Sequence, residues 1–130
     1  MEFNQLSSKI IQAAIAVHRE LGPGLLESVY QSCILIELEK LGIEAQSQVA
    51  LPIMYRGQKL DGQGFPMDLL VEDTVVVELK SARKVEAVHK KQLLTYLRLA
   101  DKPLGLLINF NEPLLKDGIT RIINTQDRAV

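Results

Sequence analysis

Glu78-Leu79-Lys80 ends the aliphatic run Val75-Val76-Val77 with two opposite charges. Residues two apart on a strand share a face, so this carboxylate and ammonium lie side by side at the end of an apolar strand. Two readings account for them. One is an ion pair at a strand end. The other needs a second carboxylate beside Glu78, and Asp68 in Phe65-Pro66-Met67-Asp68-Leu69-Leu70 is the candidate. A three-residue turn at Glu72-Asp73-Thr74 pairs Val71 with Val75 and sets Asp68 opposite Glu78, on the same face. A two-residue turn sets Asp68 opposite Val77 and dissolves the site. In the first register two carboxylates and a backbone carbonyl converge near Lys80. That donor set suits Mg²⁺ or Mn²⁺, which take hard oxygen ligands and keep several waters. Lys80 would then hold or activate a water and help neutralise charge developing on a phosphate.

The elements that must position these residues are legible from hydrophobic period. Leu6, Ile10, Ala13, Ala14, Val17 and Leu21 predict an amphipathic helix over 6–21, closed by Gly22-Pro23-Gly24. A second helix is expected over 25–41. It is apolar on two sides (Val29, Cys33 and Ile36; Tyr30, Ile34, Leu38 and Leu41), as for a helix lying between the first and another element. After Gly42 the period becomes two. Ala45, Val49, Leu51, Ile53 and Tyr55 mark a half-buried strand in which Pro52 signals an edge or a bulge. Arg56-Gly57-Gln58-Lys59 reads as a turn, and a second strand is placed at 64–71 after Asp61-Gly62-Gln63-Gly64. The third strand covers 75–80, a helix 85–100, and two further strands 104–110 and 119–124. The order ααβββαββ predicts a single α/β domain over residues 1–130, with a mixed central sheet flanked by helices.

Composition excludes several classes. The chain has 130 residues, a net charge of −1, one Cys and two His. Bulk charge therefore does not hold it to nucleic acid, and neither a disulfide framework nor a thiolate or imidazole metal centre is available. With 5% aromatic residues and no Trp, it lacks the stacking platforms of single-strand binders. No apolar run approaches a membrane span, and Met1-Glu2-Phe3-Asn4-Gln5 lacks the basic start of a secretory signal, so the cytoplasm is the expected compartment and no membrane partner is expected.

Asp68 followed by Glu78-x-Lys80 resembles the PD-(D/E)xK nuclease signature, and the element order is similar to that superfamily's restriction-endonuclease-like core. Upstream, Gly24-Leu25-Leu26-Glu27-Ser28-Val29-Tyr30 resembles the GxxExxY motif that names a bacterial family within it. The resemblance continues through Asp68-Leu69-Leu70-Val71-Glu72, Val77-Glu78-Leu79-Lys80, Gln92-Leu93-Leu94-Thr95-Tyr96 and Gly105-Leu106-Leu107-Ile108-Asn109-Phe110. Pro66-Met67 departs from the pattern, where a basic and a small residue are expected before Asp68. A lost positive charge there weakens contact with a substrate backbone.

The resemblance implies a metal-dependent nuclease acting on nucleic acid, DNA ahead of RNA. Asp68 and Glu78 would bind Mg²⁺ or Mn²⁺, with Lys80 positioning water. Glu27 heads the stripe of Tyr30, Ile34, Leu38 and Leu41, so its carboxylate is expected to face inward. An acidic residue in a first helical turn is also favoured simply by the free N–H groups there. The resemblance gives Glu27 a third acidic ligand's role. Tyr30, one turn on, reads as core packing with its hydroxyl at the site's edge. His89, Gln92 and Tyr96 share a helix face, as in a polar seam. By resemblance Gln92 and Tyr96 orient the substrate. Lys80, Arg83, Lys84, Lys90 and Lys91 form a basic segment that is either a solvated face or a polyanion contact, with Lys84 and Lys90 as substrate-binding candidates. His18 and Cys33 read as packing residues. A domain this small has little surface to grip a duplex, which favours a homodimer. The alternative function is a non-catalytic module that binds nucleic acid or protein on the same fold.

Overall fold

In the computed structural model, which describes residues 2–124, the stripe Leu6, Ile10, Ala13, Ala14 and Val17 is buried along α1 (Phe3–Leu21). The helix begins three residues before its stripe because Glu2 Oε1 accepts the Asn4 N–H at 2.9 Å, serving one of the amides a helix start leaves free. α2 (Glu27–Lys40) buries Tyr30, Ile34 and Leu38. α2 lies between α1 and the sheet, as expected, and on its second apolar side Cys33 is half-buried while Val29 and Ile36 are exposed, Ile36 at 53%. α2 starts at Glu27 rather than Leu25, because Gly22 and Gly24 take left-handed φ values of 74° and 94° and prolong the turn.

Five strands form one mixed sheet in chain order: β1 (Ala45–Tyr55), β2 (Gln58–Val71), β3 (Val75–Lys80), β4 (Leu104–Asn109) and β5 (Ile119–Ile123). Every neighbouring pair is antiparallel except β3 with β4. A parallel pair needs a crossover, and α3 (Ala87–Ala100) supplies it. The order is the expected ααβββαββ, with a short 3₁₀ turn at Leu115–Gly118 before β5. This is the restriction-endonuclease-like α/β architecture. Pro52 carries both meanings expected of it, since β1 is an edge strand and its register with β2 shifts between Pro52 and Met54.

Two boundaries move. β2 starts at Gln58, not Gly64, because Arg56 and Gly57 (φ 47° and 80°) make a two-residue turn that lets Tyr55 pair directly with Gln58. α3 starts at Ala87, not Val85, where Glu86 and His89 cap it reciprocally; the Glu86 N–H donates to His89 Nδ1 at 3.0 Å.

The sheet separates two cores. Leu69, Val71, Val75, Val77, Leu79, Leu104, Leu106 and Ile108 pack with α1 and α2. Leu70, Val76 and Leu107 pack with Leu93 and Leu97 of α3. Among the described residues no helix is long and apolar enough to cross a membrane. α3 lies so close to β4 that a Cβ on Gly105 would stand 3.1 Å from two Leu93 side-chain carbons. Gly105→Ala is therefore expected to destabilise the fold by about 1–3 kcal/mol. A urea midpoint equal to that of the parent would contradict this close approach.

Candidate functional site

β2 and β3 meet in the register that the site requires. Val71 pairs with Val75, Leu70 with Val76 and Leu69 with Val77. Glu72 and Asp73 both take φ 51° in the intervening turn, and the Thr74 N–H donates to the Val71 carbonyl at 2.9 Å. The pairing ends at Leu69 and Val77. Continued by two residues it would give the Leu79 N–H to the Met67 carbonyl. Instead Asp68 Oδ2 accepts that N–H at 2.7 Å. Asp68 thus stands where the two strands part, beside Glu78.

Asp68 is also where β1 and β2 change faces. On β2, Leu69 and Val71 belong to the α1/α2 core, whereas Phe65 and Met67 belong to the α3 core. On β1, Ala45 packs with the former and Val49, Leu51 and Ile53 with the latter. Between them Gln48 adopts a left-handed φ of 52°, rare for a residue with a side chain. Its Nε2 donates to Gln31 Oε1 at 2.7 Å and lies 3.4 Å from Asp68 Oδ1. Gln48 was not foreseen as part of the site. In the sequence it is one more outward polar position of a strand, and nothing there signals a left-handed residue.

Glu78 and Lys80 follow Val76 onto the α3 side of β3, and both are half-buried. Glu78 Oε1 is buried and has no hydrogen-bond partner. Burial first, and then the Asp68 charge, pushes the Glu78 carboxyl up to about 7; the Asp68 backbone N–H and Lys80 pull it down, and Glu27 adds a further push. Tyr96 on α3 lies face to face with Phe65, centroids 4.0 Å apart. Burial and the Glu78 carboxylate raise the Tyr96 hydroxyl above its ordinary range, which puts that hydroxyl within electrostatic reach of the site. Gln92, one turn earlier, is exposed, and His89 is engaged in the helix cap.

Glu27 is not inward-facing. It is exposed and comes from the α1/α2 side of the sheet, around the end of β3, where its Oε1 accepts the Ser81 N–H at 3.3 Å. The stripe that Glu27 heads turns inward only from Tyr30 onward, because Glu27 stands on the first turn of α2, level with Ser81 just past the end of β3. Among the described residues no three His, Cys, Asp or Glu side chains form a metal-holding group. Asp68 and Glu78 make a carboxylate pair, and Glu27 stands at its rim. The pair fits a hard divalent cation by one specific feature, the buried and unpartnered Glu78 Oε1 next to a second carboxylate.

The segment after Lys80 is held by Asn109, which is almost fully buried. Its Oδ1 accepts the Ala82 and Asn111 N–H groups at 3.1 and 3.2 Å, and its Nδ2 donates to the Ala82 carbonyl at 2.9 Å. The Phe110 N–H donates to the Lys80 carbonyl at 2.8 Å. A polar residue ending the apolar run Leu104–Ile108 is the sequence signal for such a staple. Beside it a cleft of about 200 Å³ is lined by Arg83, Lys84 and Lys90, with Glu112 and Asp117 among its other lining residues. The basic segment is thus partly a cleft wall, and two carboxylates share the cleft with it. Lys91 is exposed.

The raised Glu78 carboxyl makes stability fall with pH when no metal is present. Below the ordinary value of 4.5 the group is protonated folded or unfolded and nothing is lost. Between 4.5 and about 7 only the unfolded chain ionises, so stability declines, and above about 7 the loss is complete. Melting temperatures in chelator-treated buffer should fall from pH 5 to pH 8, and Glu78→Gln should flatten that fall. An equally steep fall in the variant would contradict the assignment.

A sequence profile of the PD-(D/E)XK nuclease superfamily matches residues 4–122. Neither a curated protein nor a solved structure matches the chain at a significant level. The matched span runs from α1 to β5 and includes Asp68, Glu78 and Lys80. This chain belongs to the PD-(D/E)XK nuclease superfamily.

Proposed function

We propose that the protein is a divalent-metal-dependent nuclease that hydrolyses phosphodiester bonds, with DNA as the first substrate to test. The observation that carries this reading is the buried, unpartnered Glu78 Oε1 beside Asp68, with Lys80 on the same strand face. Asp68 and Glu78 would hold Mg²⁺ or Mn²⁺, and Glu27 would complete the acidic set. When bound, the ion supplies Lewis acidity toward a phosphoryl oxygen and lowers the pKa of water. Lys80 orients the attacking water and donates to the phosphate as charge builds on it. Tyr96 and Gln92 orient the scissile strand, and Lys84 and Lys90 hold its flanking phosphates. Within the superfamily, Gly24, Glu27 and Tyr30 support placement in the GxxExxY group.

A second reading, a binding module without catalysis, draws on the absence of a three-ligand group among the described residues. Calorimetric titration with Mn²⁺ separates the two. The nuclease reading expects saturable binding that Asp68→Asn removes, and the module reading expects none.

Purified protein should cleave DNA or RNA only with Mg²⁺ or Mn²⁺, and Lys80→Ala and Glu78→Ala should each lower the rate about a hundredfold or more. Equal cleavage by the parent and both variants would assign the activity to a contaminant or to another site.

A further inference from the structure

The turn that presents Glu27 has little to hold it. Leu25 and Leu26 leave their side chains in solvent, Leu26 at 75% exposure, so apolar burial does not anchor the segment. Gly22 and Gly24 take left-handed φ values, and no side chain caps α2 at Leu26. Tyr30 supplies the missing anchor. Its hydroxyl donates to the Gly22 carbonyl at 2.6 Å and accepts the Leu25 N–H at 3.1 Å, bridging the two ends of the turn. Its fully buried ring stacks on Phe110, centroids 4.2 Å apart, and the Phe110 N–H donates to the Lys80 carbonyl. One side chain thus joins the turn that carries Glu27 to the strand end that carries Lys80. Across that junction Glu27 reaches the Ser81 N–H.

We propose that Tyr30 is a positioning residue for Glu27: its two hydroxyl hydrogen bonds hold the 22–25 turn so that the Glu27 carboxylate meets the end of β3. The effect on cleavage rests on the nuclease reading, whereas the placement of Glu27 does not. Carboxylate and tyrosine stand three residues apart because one helical turn lets the tyrosine hydroxyl reach back across the turn that the carboxylate leaves.

The test uses ¹⁵N-labelled parent, Tyr30→Phe, Glu27→Ala and the double variant, with a circular-dichroism melt of each. Tyr30→Phe keeps the stacked ring and removes only the hydroxyl. The Ser81 amide resonance should move most of the way to its Glu27→Ala position, while the Leu79 amide, held by Asp68, stays in place. Cleavage should fall about ten- to a hundredfold in Tyr30→Phe, with no further loss when it is added to Glu27→Ala. A Ser81 resonance unmoved in Tyr30→Phe would overturn the proposal. So would Ser81 and Leu79 moving together, or losses that multiply in the double variant. If the parent cleaves nothing, the nuclease reading fails and the Ser81 resonance still decides the role of Tyr30.

Discussion

The hydrogen bond from the Leu79 N–H to Asp68 Oδ2 is the contact around which the site is built. An unsatisfied amide in the middle of a sheet costs free energy comparable to a lost hydrogen bond, so β2 can leave β3 only if something else takes that amide. Asp68 takes it with a carboxylate, and a charge is thereby planted where the strands diverge. The face change at Gln48 and Asp68 sends the rest of the β1–β2 hairpin toward α3. Fold and site have a common origin in one side chain that replaces a backbone acceptor.

Putting Glu78 beside that charge works against stability. Its carboxyl is half-buried, has one oxygen without a partner, and carries a pKa raised to about 7. Burying such a group for packing alone would be a poor solution, since an apolar residue would satisfy the α3 core better. In the proposed nuclease the same feature would become an asset, because a divalent ion held by both carboxylates would neutralise their charge.

Much of this was legible in the residues. The alternation in Val75–Lys80 put Glu78 and Lys80 on one face, and strand parity reduced the place of Asp68 to two outcomes, of which the one with Val71 opposite Val75 is found. The α1 stripe and the edge character of β1 followed equally directly from period and from Pro52. Other features were not legible because they depend on tertiary context. Glu27 sits at the head of an inward stripe, yet it is exposed, since helical period does not tell that the first turn of α2 lies past the end of β3. Nothing in the second apolar side of α2 distinguished Cys33, which packs against the core, from Val29 and Ile36, which are exposed. Gln48 acts through the side chains of Gln31 and Asp68, and Asn109 through both backbone groups of Ala82; these partners are far away in sequence, and period does not encode such contacts. The two-residue Arg56-Gly57 turn was obscured by the polar, glycine-rich residues after it, which read as loop and are strand.

The most direct measurement is anomalous diffraction from crystals grown in saturating Mn²⁺. The predicted result is an anomalous peak about 2 Å from carboxylate oxygens of both Asp68 and Glu78, with Glu27 within reach of one of the ion's waters. A well-ordered site with Mn²⁺ bound elsewhere, or no peak at the Asp68–Glu78 pair, would contradict it.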